Sequence, residues 1–297
     1  MGPGSVRPMA RRYDTVSFLS DFGLRDECVG VVKAVLRDLA PHAHVVDLTH
    51  EIPPFDVRAG SLALARAIPY VPSGVVLAVV DPGVGTSRRA LAIEVAGGEG
   101  VFVGPDNGLL APAIAMAGGA ERCVSLTDER YHLPSPSATS AGRDVYASVA
   151  AHLCNGVDLS ELGEAVDPDV LMPGVVPLPR DEAGVVVCEV LWVDRFGNCQ
   201  LNVGPDEVAH LGDPVRVSAG DPADPTVRVA ARVRAYADAG VGAVGLMADG
   251  SGMVSLVLDR RSAADELRIA AGDQVTLAPL GEGERPGVTT SVELRRP

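Results

Sequence analysis

The chain has 297 residues, a hydrophobic share of 47% and a formal net charge of −14 at pH 7. This length favours one large or two medium domains, and the negative charge disfavours polyanionic partners such as nucleic acid. The sequence has no uninterrupted apolar run of 18 residues, so we expect no membrane span and no membrane partner.

In the first half of the chain, apolar runs alternate with segments of helical periodicity. Strands are predicted at 13–19, 44–48, 74–80, 90–95 and 100–103, and helices at 28–39, 57–68, 109–117 and 145–153. The segment 142–144 is expected to cap the last of these helices. This alternation predicts an α/β domain with a mostly parallel sheet.

The pattern changes after a proline-rich linker at 167–179, because the later apolar runs are short and rich in β-branched residues. Strands are predicted there at 185–193, 214–217, 226–233, 253–258, 274–277 and 289–294. We therefore predict an α/β domain at 12–178. A smaller all-β domain, of barrel or sandwich type, is predicted at 184–297.

The five cysteines include no C-x-x-C pair, and the six histidines form no H-E-x-x-H motif. These patterns predict free thiols in a reducing compartment, the cytoplasm, and give no reason to expect a metal. The opening Met-Gly-Pro-Gly-Ser has the composition of an expression-tag remnant. The residues that follow lack the apolar stretch of a signal peptide.

One strand end carries a candidate functional carboxylate. Asp81 follows the apolar run 75–80, and Pro82 then ends the strand, with Arg88 and Arg89 a few residues further on. Ligands of open α/β sheets bind at the carboxyl ends of the strands, where a nearby arginine could pair with Asp81. The sequence does not distinguish between the two arginines. An ordinary turn with solvated charges is the alternative.

Six motifs occur in order along the chain: SDFGLRD at 20–26, DLTHEIPPFD at 47–56, DPGVGTSR at 81–88, GPDNGLL at 104–110, GRD at 142–144 and DRFGN at 194–198. Over about residues 13–277 the chain resembles the S-adenosylmethionine hydroxide adenosyltransferases, which are adenosine-forming hydrolases related to fluorinating and chlorinating enzymes. The resemblance implies that the α/β domain is the substrate-binding and catalytic domain. It also implies a β-barrel that completes the site of a neighbouring subunit, and a homotrimer with intersubunit active sites. It implies S-adenosylmethionine as the substrate and no cofactor.

The resemblance also implies roles for individual residues. Asp81 would orient and deprotonate a water molecule with Arg88 beside it, whereas the halogenating relatives have a tyrosine there. Asp21 would accept the ribose hydroxyls. The remaining substrate-binding candidates are Asp26 and Asp194 (methionine ammonium), Ser251 (methionine carboxylate), Phe55 (ribose), Gly142 (space beside the substrate), Phe196 and Tyr236 (adenine faces), and Asn198 (adenine edge).

Simpler structural roles remain open for these candidates. Asp21 could cap a helix, and Asp26 and Asp194 could be surface carboxylates. The aromatics at 196 and 236 could pack in a core, Asn198 could serve a turn, and Phe55 could anchor a loop.

The sequence departs from the family at Ala141, where the resemblance places a third catalytic residue, a histidine. Three interpretations are open: an engineered substitution, a natural hydrolase that does without the histidine, or a binder that has lost catalysis. His50 and His132 could compensate, but the sequence places neither there. Because Asp81, Arg88 and the substrate-binding motifs are present, hydrolysis is the first hypothesis. A chlorinase-like halogenase and a non-catalytic S-adenosylmethionine-binding protein are the alternatives.

Overall fold

The computed structural model describes residues 12–135, 137–220 and 224–281. The chain divides between Val175 and Val176 into two compact units. Among the described helices, none combines the length and the apolar character needed to cross a membrane. The tag-like opening residues and the predicted strand at 289–294 lie outside the described residues.

The first unit is built on a sheet with the strand order β2-β1-β3-β5-β4-β6-β7. Its strands are β1 Thr15–Ser20, β2 His44–Thr49, β3 Gly74–Val79, β4 Ala90–Val95, β5 Gly100–Pro105, β6 Arg122–Ser125 and β7 Glu164–Val166. Strands β2, β1, β3 and β5 pair in parallel, while β4 and β7 run against their neighbours. Five of these seven described strands thus share one direction, which confirms the predicted fold class.

Helices cover both faces of this sheet: α1 Cys28–Leu39, α2 Val57–Ala67, α3 Ala111–Met116 and α4 Ser148–Cys154. Successive side chains of a strand point to opposite faces. Val75, Leu77 and Val79 accordingly pack with α1 and α4, whereas Val76 and Ala78 pack with α2 and α3. Because both faces are buried, β3 is apolar at every position after its first glycine.

Three features of the first unit differ from the predictions. The short strands β6 and β7 were not predicted, since three or four residues carry too little periodicity. The helix predicted at 145–153 begins earlier, with a π-helical turn over Gly142–Ala147 that leads directly into α4. The segment 142–144 therefore lies inside the helix and does not cap it. Such turns insert an extra residue and occur often at functional sites.

The second unit is a closed barrel of seven strands with an eighth strand alongside. The strands are β8 Arg180–Glu182, β9 Val185–Val193, β10 Cys199–Leu201, β11 Val215–Ala219, β12 Thr226–Arg232, β13 Val244–Ala248, β14 Val254–Val257 and β15 Gln274–Pro279, and a short helix is α5 Ala263–Leu267. The order β10-β14-β13-β12-β11-β15-β9 closes through the β9–β10 pairing. The barrel form of the prediction is confirmed and the sandwich form is wrong. Strands β8, β10 and β13 and helix α5 were not predicted.

Candidate active site

A cavity of about 390 Å³ lies at the carboxyl ends of β1 and β3, where the sheet meets the π-helical turn. Its walls include Asp21 after β1, Asp81 after β3, and Gly142 and Tyr146 of the turn. Helix α1 contributes apolar side chains such as Val32. Polar groups thus converge on a largely apolar pocket, which is typical of a small-molecule site.

Asp81 is held at the inner wall of this cavity, and its side chain is only 6% exposed. It lies two residues beyond Val79, so the alternation of the strand directs it to the α1 side. Its Oδ1 accepts the Gly83 N–H at 3.1 Å and lies 3.2 Å from Arg88 Nε. Arg89 instead donates to Asp106 from Nε at 2.8 Å. The structure therefore assigns Arg88, and not Arg89, to Asp81.

Gly83 allows this approach of the arginine. A Cβ atom built on Gly83 would overlap the Arg88 guanidinium group. Any larger residue would have to displace Arg88 from Asp81. The glycine in the turn after β3 therefore leaves the space that the Arg88 guanidinium group occupies beside Asp81.

Tyr146 is a contact of Asp81 that the sequence analysis did not identify. Its hydroxyl donates to Asp81 Oδ2 at 3.3 Å, and the residue is 2% exposed. Burial, followed by the charge of Asp81, raises the pKa of Tyr146 well above its ordinary value. The phenol is therefore a neutral donor. The sequence offered one indication: Tyr146 is a polar-tipped aromatic residue among the valines and alanines of the helix predicted at 145–153.

Asp21 and Phe55 are brought together at the cavity mouth. The Phe55 N–H donates to Asp21 Oδ2 at 2.9 Å, and the N-cap of α1 is Glu27, so Asp21 does not cap that helix. Phe55 adopts a left-handed backbone conformation, with φ of 70°, and its ring is 72% exposed. A bulky residue in this conformation is strained, which is often a feature of functional loops.

A buried contact between Ser20 and His50 adjoins the loop that carries Asp21. Ser20 Oγ and His50 Nδ1 are 2.9 Å apart. His50 Nε2 lies 3.2 Å from Asp47 Oδ1 without hydrogen-bond geometry. The His50 carbonyl accepts the Gly23 N–H at 2.7 Å. His50 therefore supports the loop after β1 and is not among the residues that line the cavity.

Ala141 lines a different cavity, of about 710 Å³, together with His132 and Asp144. Neither Asp81 nor Arg88 belongs to that lining. Burial lowers the pKa of His132, and its Nε2 has no hydrogen-bond partner in the described part of the chain. The segment around Ala141 thus separates two cavities, and neither candidate histidine is placed at Asp81.

Gly142 lies on the Asp81 side of that segment, in the wall of the first cavity. A Cβ atom on Gly142 would approach within 2.7 Å of the Phe22 ring. The glycine therefore leaves room for Phe22 rather than contacting Asp81 itself. Asp26 is exposed and does not line the cavity, although the adjacent Glu27 does.

The barrel unit carries a surface pocket of about 460 Å³, lined by Phe196, Asn198, Tyr236 and the segment 258–262. Phe196 is 77% exposed and Tyr236 is 46% exposed. Core packing is therefore not the role of either ring. We call this feature the aromatic pocket.

Asp194 and Ser251 lie outside the aromatic pocket. Asp194 Oδ2 accepts from the Asn198 side-chain amide at 2.8 Å, and its Oδ1 accepts the backbone N–H groups of Phe196 and Asn198. Asp194 thus shapes the loop that presents Phe196. Ser251 is exposed in the turn between β13 and β14, where its N–H donates to Asp249. Within the described ranges, no group of three or more His, Cys, Asp or Glu residues could hold a metal ion.

Residues 16–163 match the family described as SAM hydroxide adenosyltransferase N-terminal domain, and residues 188–276 match the corresponding C-terminal domain. A protein of Salinispora tropica named (R)-S-adenosyl-L-methionine hydrolase is 43% identical over 260 residues, which is 88% of this chain and 96% of the relative. A fluorinase of an Actinoplanes species is 26% identical over 221 residues, covering 66% of this chain and 74% of the fluorinase.

Among solved structures, an uncharacterized conserved protein from Thermotoga maritima is similar with a TM-score of 0.81. The two are 33% identical, and the match covers 89% of this chain and 99% of that protein. The two-unit architecture is therefore shared along almost the whole length of the compared chain.

Proposed function

This chain belongs to the SAM hydroxide adenosyltransferase family, and on that premise we propose that it hydrolyses S-adenosylmethionine to adenosine and L-methionine. The observation that carries the proposal is Asp81, buried at the end of β3 in a nucleoside-sized cavity with Arg88 beside it. The relative named as a hydrolase is also much closer in sequence than the relative named as a fluorinase.

The proposed reaction is a displacement at the ribose C5′. The water oxygen forms a bond to C5′ while the C5′–S bond breaks. The electron pair of the breaking C5′–S bond stays on sulfur. The sulfonium leaves as the neutral thioether of methionine, so no general acid is required. Asp81 accepts the proton of the water and later releases it to solvent. Positioning supplies most of the acceleration, and the base contributes about 10²–10⁴-fold.

Each substrate group has a proposed contact. Asp21 binds the ribose hydroxyls, because a carboxylate offers two acceptor oxygens, and Phe55 covers the ribose. The aromatic pocket holds adenine. Gly142, which leaves room for Phe22, forms part of the cavity wall beside the substrate. The proposed contacts of the methionine end are Asp26 and Asp194 for the ammonium and Ser251 for the carboxylate. No cofactor takes part in this scheme.

Product analysis in the presence of chloride tests this function. We expect incubation with S-adenosylmethionine to yield adenosine and methionine in equal amounts. A 5′-chlorinated nucleoside would instead identify a halogenase. Tightly bound but unconverted S-adenosylmethionine would identify a binding protein.

The proposed assembly is a homotrimer with intersubunit active sites. The family resemblance suggests this arrangement, and the exposed rings of the aromatic pocket support it. Light scattering during size-exclusion chromatography should give the mass of three chains, and a monomeric mass would contradict the proposal.

The proposed location is the cytoplasm. All five cysteines are free, and four of them are buried. The buried thiols are not accessible for a disulfide with another molecule, and free thiols are typical of a reducing compartment. Fractionation of the producing cells should place the protein with cytoplasmic markers. Recovery with membrane or secreted fractions would contradict this.

A further inference from the structure

We infer that Tyr146 is a positioning residue of this reaction, whose hydroxyl fixes the orientation of the Asp81 carboxylate. The inference rests on the proposed hydrolysis and extends it to a residue outside the family motifs found in the sequence. Its basis is the arrangement of donors around the two oxygens of Asp81.

The two oxygens of Asp81 have different partners. Oδ1 accepts the Gly83 N–H and faces the Arg88 guanidinium. Among the described residues, the hydrogen bond to Oδ2 comes from the Tyr146 hydroxyl at 3.3 Å. Contacts to Oδ1 alone would leave the carboxylate free to turn about the Cβ–Cγ bond. The phenol therefore fixes the plane of the carboxylate.

Oδ2 can still serve as the base while it is bound to Tyr146. A carboxylate oxygen has two lone pairs, and the bond to Tyr146 uses one of them. The other lone pair remains available for the hydrogen of a water molecule in the cavity. The bond of 3.3 Å is long for an O–H donor, and such bonds commonly shorten when a substrate expels water from the site.

The backbone holds Tyr146 in this position. The residue lies in the π-helical turn Gly142–Ala147, and its ring is buried in the core shared with α1 and α4. Both Tyr146 and Gly142 line the cavity with Asp81, whereas Ala141 and Val145 line the second cavity. A residue at 146 therefore reaches Asp81 from this backbone.

The two candidate histidines and Arg143 pair or lie elsewhere. His50 is paired with Ser20, and His132 lies in the second cavity with Ala141. Arg143 pairs with Asp144. Tyr146 is thus the side chain that completes the Asp81–Arg88 pair within the described part of the chain.

The test compares Tyr146→Phe with Tyr131→Phe. The control removes an equivalent hydroxyl, which donates to Glu161 at 3.1 Å and does not line the cavity. We expect Tyr146→Phe to lower kcat by about 10- to 100-fold, the effect of losing a hydrogen bond to a charged group. The Kd for S-adenosylmethionine, measured by calorimetry, should stay within about twofold, which also shows that the variant is folded. Tyr131→Phe should change neither quantity.

A second comparison in the Asp81→Ala background separates positioning from a general structural effect. If Tyr146 acts through Asp81, Tyr146→Phe should lower the residual rate by less than about twofold there. Full kcat in Tyr146→Phe, or the same loss in both backgrounds, would overturn the inference while leaving hydrolysis intact. A wild-type protein that binds S-adenosylmethionine without forming adenosine would overturn the proposed function and the inference with it.

Discussion

The cavity of the α/β unit and the aromatic pocket of the barrel differ in how their groups are held. The Asp81 side chain is almost fully buried, and both of its carboxylate oxygens have partners within the α/β unit. In the aromatic pocket, Phe196 and Tyr236 present their rings to solvent. Preorganised charge is what lowers a reaction barrier, whereas an exposed ring offers a stacking surface. We therefore propose that the first site carries out the chemistry and that the second site recognises the substrate.

Asp81→Ala gives the largest expected effect, because it removes the proposed base. We expect kcat to fall by about 10³-fold, with the Kd for S-adenosylmethionine within about threefold of the wild type. Steady-state adenosine release and calorimetry measure the two quantities. Asp38→Ala, which removes an exposed carboxylate of α1 outside the cavity, is the control. An undiminished kcat in Asp81→Ala would contradict the proposal that the reaction takes place in this cavity.

Arg88→Ala is expected to have the next largest effect. Asp81 would lose its cationic partner, and kcat should fall by about 10²-fold, a typical loss for a charge-assisted contact. The adjacent Arg89 binds Asp106 and not Asp81, so Arg89→Ala should leave kcat within about threefold. Equal losses in the two variants would show that the ion pair seen at Asp81 does not govern the rate.

Phe196→Ala tests the recognition half of the comparison. Stacking of a base on an aromatic side chain contributes about 1–3 kcal/mol, so we expect KM and Kd to rise by about tenfold. The value of kcat should stay within about threefold, since no reacting atom is affected. Val241→Ala, which truncates a fully exposed side chain outside the pocket, should change neither. A fall in kcat with unchanged KM and Kd would contradict the recognition role and indicate that Phe196 acts in the chemical step.

Glu94→Gln should change stability and leave turnover unaffected. Glu94 is buried in β4 and does not line the cavity. Hydrogen bonds from Arg122 and then Arg12 hold the pKa of its carboxyl below the usual value, against the opposing effect of burial. We expect the free energy of unfolding to fall by about 2 kcal/mol at pH 7 in the variant.

The pH dependence of that loss has a defined sign. A carboxyl with a lowered folded-state pKa stabilises the fold above its unfolded pKa of about 4.3. This contribution disappears as the pH falls through the folded-state value. The free energies of unfolding of wild type and Glu94→Gln, measured with urea, should therefore converge as the pH falls below about 4.3. A difference that grows on acidification would contradict the assigned ion pairs.

The sequence predicted the parts of the fold that are long and periodic. The bounds of α1 and β9 were predicted without error, because three- to four-residue spacing and a long β-branched run leave little ambiguity. Strands such as β6 and β10 are too short to show a period. The π-helical turn was invisible because its i to i+5 bonding has no characteristic residue pattern.

The candidate site was predictable where a residue follows a strand and not where it lies on a helix face. Asp21 and Asp81 end strands, and parallel pairing of β1 with β3 brings them to one cavity. The choice of Arg88 over Arg89 required coordinates, since both are within reach of the turn. Tyr146 was missed because a tyrosine at core spacing is indistinguishable from packing until its hydroxyl is located.

The origin of the 5′-oxygen of adenosine tests the central claim most directly. With S-adenosylmethionine and ¹⁸O-labelled water, mass spectrometry should find one labelled oxygen in the adenosine, located on C5′, and unlabelled methionine. That result follows from attack of water on C5′ with departure of a neutral thioether. Adenosine without the label, or a product that carries chloride on C5′, would contradict the account.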